Sequence, residues 1–288
     1  MHSCKICKSA RLKPFAHTAS CPDCGVLLCY PYPEDDQQIF NSGDKRGGKK
    51  ATRDEIHQST LTYHLKSGSR RHDGFTSMIK FALTDEDRYR PTVVLDYGGG
   101  GGQFALVLTS LYPGIKPFMV DIEDNRLLDA FRPLNNQIPF ASFINDQTQF
   151  DVIFMNDVFE HVSDPVSVLQ QLRGKLVDGG RVFIDTPKHF WLYPVTKVAS
   201  TTLHTKLLKG TVDFDHQQIW SKSSFYHAVK LAGLKVTKYA EVSEFTQPAD
   251  YYLNNMEITN PVIRWIGKTT YQLGRVLIKN KIMAVLEH

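Results

Sequence analysis

Most of the chemistry-bearing residues in this sequence fall into three groups: two Cys-x-x-Cys pairs, a five-glycine run bracketed by aspartates, and two histidines in acidic settings. The pairs are Cys4-Lys-Ile-Cys7 and Cys21-Pro-Asp-Cys24, separated by thirteen residues. Two residues between thiolates let one tight turn deliver both sulfurs to a tetrahedral ion, and Gly25 suits such a turn. Four ligands close the shell, which predicts a structural zinc at Cys4, Cys7, Cys21 and Cys24 rather than a catalytic one. A unit of some 35 residues cannot bury enough core without such a staple. The redox reading of Cys-x-x-Cys needs a thioredoxin-like context that is missing. Cys29 lies outside the pairs and reads as a buried thiol, and His17 is not needed as a ligand.

The glycines lie in VVLDYGGGGGQF, residues 93–104. They follow a β-branched strand and precede the apolar stretch FALVL, so they occupy a strand–turn–helix junction at the carboxyl end of a sheet strand, where ligands bind. A phosphate loop requires Lys-Ser/Thr after its last glycine, and Gln103-Phe104 stands there instead. The dinucleotide fingerprint fails as well, because GxGxxG from Gly98 or Gly99 requires glycine at Gln103 or Phe104. Asp96, just before the loop, repels a pyrophosphate and suits a cationic group. Asp121 follows 25 residues later at the end of the next strand, placed to accept hydrogen bonds from ribose hydroxyls. An adenosine with a cationic amino-acid tail and no phosphate meets these conditions, and S-adenosylmethionine is such a ligand.

The elements that position these residues follow from hydropathy. TVVLD (92–96), KPFMVD (116–121), FASFI (140–144), DVIFMN (151–156) and RVFIDT (181–186) read as strands, with helices over 103–111 and 125–131. Asp164-Pro165 supplies a cap and first-turn proline for a helix carrying Val166, Leu169, Leu172 and Leu176. A further helix is expected from about Ser223 to Gly233. Alternation of strands and helices predicts an α/β, doubly wound, mostly parallel sheet.

At this point the sequence resembles the class I S-adenosylmethionine-dependent methyltransferases. Asp96-x-Gly98-x-Gly100-x-Gly102 is similar to their first motif, and Val120-Asp121-Ile122 to the acidic end of their second strand. FDVIFMNDVFEHVSDP (150–165) is similar to their fourth-strand segment, and LVDGGRVFIDTP (176–187) to the turn and strand that follow. The resemblance covers about 54–242 and implies a seven-stranded sheet. It also implies cofactor-binding roles for Asp96, Gly98, Gly100, Gly102, Asp121, Ile122 and Asn156. The leader CKICKS…CPDCGVLLCYPYPED resembles that of bacterial methyltransferases associated with small molecules, sugars or surface-glycan precursors.

Methyl transfer is an in-line displacement, for which positioning can suffice. An oxygen or nitrogen acceptor is helped by a base. His161 and His216 are the candidate bases, and Asp157 borders the substrate mouth. The structural alternative for His161 is a hydrogen bond that closes a turn. Asp146 is a candidate for the adenine amino group, with a solvated loop carboxylate as the alternative. Phe190, Trp191 and Tyr193 sit in an insertion expected to act as a lid.

The expected layout is a zinc ribbon over 1–40 and a basic, Gly-rich linker over 41–60. A core over 61–245 follows, with lid 188–220, then a helical extension over 246–285. Leu286-Glu287-His288 resembles a tag remnant and is set aside from the fold. Within 260–285 five basic and no acidic residues interleave with apolar ones, a pattern that fits a membrane surface, lid packing or a second subunit. A net charge of +4 is too small to argue for nucleic acid by itself. The start lacks an apolar signal-peptide core, and no run reaches the ~18 apolar residues of a span, so a cytoplasmic protein is expected. Two other readings remain: an RNA or protein methyltransferase that uses the ribbon and linker for recognition, and a cofactor-binding module without turnover.

Overall fold

Strands that run through the middle of a covered sheet must be apolar on both faces, and these are. In β4 (Thr92–Tyr97), β7 (Phe150–Asn156) and β8 (Leu176–Pro187), successive side chains enter opposite cores. The computed structural model describes residues 3–15, 18–30, 72–124, 126–188, 216–243, 249–255 and 258–288. On one face Val94, Val152, Phe154 and Phe183 pack against α1 (72–82) and α2 (Gln103–Leu111) through Phe75, Ile79, Phe104 and Leu108. On the other, Leu95, Ile153, Met155 and Ile184 meet Leu169 and Leu172 of α4 (Pro165–Arg173) and Phe225 and Val229 of α5 (Lys222–Leu231).

Including β5 (Ile115–Val120), β6 (Asn136–Gln137), β10 (Lys235–Val242) and β11 (Lys281–Glu287), the seven strands run in the order β10-β11-β8-β7-β4-β5-β6. The β4–β5, β4–β7, β5–β6 and β7–β8 pairs are parallel, while β11 is antiparallel to both neighbours. The expected mostly parallel seven-stranded α/β sheet is therefore present. Chain order reverses between β4 and β7, which opens a crevice at their carboxyl ends.

Local signals set the helix ends. The Asp164 carboxylate accepts from Ser167 N–H (3.1 Å) with Pro165 at the first helical position. Ser221 and Ser224 cap α5 reciprocally, each hydroxyl accepting from the other's backbone N–H.

The ribbon strands β1 (Lys13–Phe15), β2 (Thr18–Ser20) and β3 (Leu27–Cys29) form an antiparallel meander. A fourth strand, β9 (Gln218–Ile219), pairs with β3 and comes from the far side of the core sequence. Ile6, Val26 and Leu28 join the same apolar cluster as Trp220 and Phe225, so ribbon and sheet share one core. Cys29 is buried.

Several expectations are corrected. Residues 140–144 form a short helix, α3 (Phe140–Phe143), because Pro139 precedes them and cannot continue a ladder. No α-helix forms over 126–131; that stretch turns and leads into a 3-10 turn at Arg132–Leu134. The extension over 246–285 is not all helical: α6 (Ala249–Asn255) and α7 (Pro261–Leu277) are followed by β11. Leu286 and Glu287 belong to β11. Leu286 is buried and pairs with Val182 and Val236, which places it inside the core. Strand β11 alternates Ile282, Ala284 and Leu286 with Met283 and Val285, a period of two that fits a sheet and not a helix. The linker 41–60, the lid residues 189–215 with Phe190, Trp191 and Tyr193, and His17 lie outside the described residues.

Candidate cofactor and acceptor site

The glycine loop turns back over the carboxyl end of β4. Gly98 has φ +81°, and a Cβ there would lie 2.4 Å from Val158 Cγ2, so glycine lets the loop after β7 close against it. A Cβ on Gly102 would strike Leu127 at 2.4 Å, which makes that glycine a packing requirement. Gly100 differs: nothing lies within 4 Å of its hypothetical Cβ, so that side of the loop is open.

Both flanking aspartates reach this loop. The Asp96 carboxylate lies under Gly99, and Asp121 Oδ2 accepts from Gly100 N–H at 2.9 Å. Asp121 Oδ1 accepts from Glu123 N–H (3.0 Å), and Arg126 approaches it at 3.8 Å. Each carboxylate oxygen still has acceptor capacity on its other lone pair. Ile122 follows Asp121 at the crevice edge, half-buried. At the end of β7 both side-chain polar atoms of Asn156 are buried without a hydrogen-bond partner, and so is Nε2 of Gln103 at the start of α2. Buried amides in this state fit a polar ligand that lies between the loop and β7. Asp146, further along this edge, accepts from Thr148 N–H (2.7 Å) and its backbone carbonyl from Lys175.

A second polar cluster begins one residue beyond Asn156. Asp157 has φ +52°, a left-handed conformation uncommon outside glycine. Its backbone N–H donates to Asp185 O (3.1 Å), and its carboxylate meets Lys281 Nζ at 2.7 Å. Lys281 also donates to the fully buried Asp185 carboxylate at 2.6 Å. Three residues on, Glu160 is buried, and its Oε2 accepts from Thr186 Oγ1 at 2.9 Å. Burial pushes the Glu160 carboxyl up to about 7; Asp157 adds to the rise, while His216 and Lys281 oppose it.

His161 Nε2 stands 3.8 Å from Glu160 Oε1, and the His161 and His216 ring centroids are 4.9 Å apart. The structure thus brings together the two histidines singled out from sequence, 55 positions apart. Backbone bonds from Gln217 and Gln218 N–H to Glu160 O (2.8 and 3.3 Å) hold the segments side by side.

In the ribbon, Cys4 Sγ lies 3.8 Å from Cys24 Sγ and Cys7 Sγ 3.5 Å from Cys21 Sγ, with all four sulfurs within 4.8 Å of one another. A tetrahedral zinc with ~2.3 Å bonds places sulfurs about 3.8 Å apart, so the donor set fits that ion. A hydrogen bond from Cys24 lowers the Cys4 thiol to about 5 against the penalty of burial, while the Cys24 thiol is raised.

Residues 68–239, more than half of the chain, match the family model described as "Methyltransferase domain". The chain belongs to the methyltransferase domain family. Among similar proteins is a ubiquinone biosynthesis O-methyltransferase of Histophilus somni (strain 2336). It is 31% identical over 134 residues, which cover 42% of this chain and 56% of that protein. The chain spans about half the length of the curated relatives it matches. The phosphoethanolamine N-methyltransferase 2 of Haemonchus contortus, solved with S-adenosyl-L-methionine, superposes with TM-score 0.54 at 14% identity, covering 86% of this chain and 59% of that one. The plantazolicin methyltransferase BamL superposes with TM-score 0.52 at 14% identity, covering 87% and 95%. At these identities the superpositions show the fold.

Within this methyltransferase-family chain, sequence reasoning missed four polar residues. Lys281 sits on the seventh strand, outside the resemblance, and Thr186 reads in sequence as an ordinary strand residue. Gln103 carried a signal, since it stands where the phosphate-loop and dinucleotide patterns fail. Gln218 reaches back with its amide to Phe159 O (2.7 Å) and Val162 O (3.1 Å), a contact that only the fold creates.

Proposed function

We propose that the chain transfers a methyl group from S-adenosylmethionine to an oxygen, nitrogen or carbon of a small molecule, sugar or glycan- or lipid-linked precursor, with oxygen favoured. The observation that carries this is one crevice containing Asp96, Asp121, the open side of Gly100 and the partnerless buried amides of Asn156 and Gln103. When bound there, S-adenosylmethionine supplies an electrophilic methyl on a sulfonium. Asp121 accepts the ribose hydroxyls, with Ile122 beside the adenosine. Gly98, Gly100 and Gly102 let the backbone run close to the aminoacyl portion, and Asp96 and Asn156 face its polar groups. The Glu160–His161–His216 cluster, one turn beyond Asn156, meets the acceptor O–H and draws away its proton, and Asp157 lines the mouth. Oxygen is favoured because this cluster offers proton acceptors and because the curated relative named above is an O-methyltransferase.

The thiolates of Cys4, Cys7, Cys21 and Cys24 hold a structural zinc that fixes the ribbon against β9. The reading extends to a peripheral lipid contact. Helix α7 turns Gly267, Tyr271 and Gly274 inward and leaves Val262, Ile263, Trp265, Ile266, Leu273, Val276 and Leu277 exposed, flanked by Lys268, Arg275 and Lys279. Among the described residues no helix is long and apolar enough to cross a membrane.

The test is incubation with methyl-labelled S-adenosylmethionine and fractionated cell extract. Label in a small-molecule or lipid-linked fraction supports the proposal, while label confined to RNA or protein, or no label at all, refutes it. In a titration with S-adenosylhomocysteine, Asp121→Ala should weaken binding at least tenfold, and unchanged affinity would remove the ribose assignment.

A further inference from the structure

The acceptor face carries a second set of metal-ligating side chains, separate from the ribbon. Ligand atoms of Glu160, His161 and His216 all lie within 4.8 Å of one another. Four-coordinate zinc or a similar ion with bonds of 2.0–2.2 Å needs ligand atoms roughly 3.3–3.6 Å apart. The Glu160–His161 separation of 3.8 Å is a few tenths from that range, and the half-buried imidazoles have room to pivot.

The supporting contacts are those of a built site. Thr186 holds one oxygen of Glu160 and thereby turns the other toward His161. Gln218 ties down the carbonyls of Phe159 and Val162 on either side of the Glu160–His161 pair, and the backbone of Gln217 and Gln218 docks His216 alongside. Fixing ligands by an outer layer of hydrogen bonds is how metal centres gain affinity. Charge points the same way. Asp157 and Asp185 place two carboxylates on one ammonium, Lys281, leaving one negative charge beside the Glu160 carboxyl that a dication helps to balance.

From this geometry we infer that Glu160, His161 and His216 bind a divalent transition cation, with a fourth position open toward the acceptor. Two imidazoles and a carboxylate with an open position is the donor set of catalytic rather than structural centres. In its catalytic role the inference rests on the methyl-transfer reading. With the cation bound, these three side chains are ligands instead of the direct base: an acceptor hydroxyl at the open position loses its proton to solvent more readily, and its oxygen becomes the nucleophile.

Cobalt(II) titration of the chelator-stripped full chain tests this. Thiolate ligation gives intense near-ultraviolet charge-transfer absorption and strong red-shifted visible bands, whereas nitrogen–oxygen ligation gives only weak visible bands at shorter wavelength, so the two centres are read separately. Two equivalents of cobalt should bind the wild type. Cys24→Ser should lose the charge-transfer signal and keep the weak bands. His216→Ala should lose the weak bands and keep the thiolate signal, which also reports that its ribbon is folded; Glu160→Gln should match it. A single equivalent in the wild type, or weak bands that persist in His216→Ala, overturns the inference. Calorimetry with S-adenosylhomocysteine on the same samples separates the two readings: binding alongside one cobalt equivalent sinks the second centre alone, and failure to bind sinks the cofactor assignment.

Discussion

Replacing Lys281 by Met should destabilise the protein by about 3–5 kcal/mol, because it removes one partner of a buried ion pair and keeps the other. The magnitude follows from the unequal burial of the two carboxylates that Lys281 serves. Asp185 is fully buried 2.6 Å from the ammonium, whereas Asp157, at 2.7 Å, is 52% exposed and largely rehydrates when its partner leaves. Loss of the Asp157 contact alone therefore costs on the order of 0–1 kcal/mol. The remainder comes from Asp185, whose charge stays in the core without the ammonium. A cost of 3–5 kcal/mol is roughly two to four powers of ten in the folding equilibrium.

Urea unfolding of zinc-loaded protein measures this as a lower midpoint at unchanged slope. Asp157→Asn should shift the midpoint little. Adding Asp185→Asn to Lys281→Met should recover most of the loss, since both charges are then gone. If Lys281→Met lies within ~1 kcal/mol of wild type, or if the double variant recovers nothing, the assignment of the stabilisation to this pair is wrong.

Other consequences can be checked alongside. Asp87 is buried between Thr84, Arg90 and Arg181, and although burial opposes it, the Thr84 N–H and the Arg181 guanidinium hold its carboxyl below the ordinary value. Its contribution is present above the unfolded pKa of ~3.9 and is lost as pH falls through the lower folded value. Asp87→Asn should therefore lose stability at neutral pH and converge with wild type in acid, as followed by thermal melts across pH 2–7. Trp220→Ala removes a fully buried indole stacked on Phe159 at 4.6 Å and edge-on to Phe225, and should cost about 3–5 kcal/mol in the same urea assay. Gly100→Ala should lower melting stability by only about 1–2 kcal/mol, the cost of φ +53° for a residue with Cβ, yet weaken S-adenosylhomocysteine binding far more because its methyl enters the crevice. Trp265→Glu should reduce flotation with anionic vesicles, and equal flotation would remove the lipid contact at α7.

Much of the candidate cofactor site was legible because its signals are local. Asp96, the glycines and Asp121 lie within one strand–turn–helix–strand unit, and a parallel sheet brings their ends together whatever the rest of the chain does. The close grouping of the four cysteine sulfurs is likewise set by two short turns. The helix start at Asp164-Pro165 was readable for the same reason, since a cap is a contact over three residues, while the expected start near Ser223 falls just inside α5, which Ser221 caps.

What the sequence could not supply depends on contacts across long separations. Residues 281–285 read as the end of a basic helix and 286–287 as a tag remnant, and only pairing with β8 and β10 makes them the seventh strand and buries Leu286. That strand alone carries Lys281 to Asp157 and Asp185. The two histidines meet because Gln217 and Gln218 bond to Glu160, and β9 fastens the ribbon to the sheet by pairing with β3. Composition shows α7 to be amphipathic but says nothing of which face turns inward; the glycines pack and the apolar arc is left exposed. Local chemistry pointed to the glycine turn as the candidate ligand site, whereas strand order and docking decided which charges surround it.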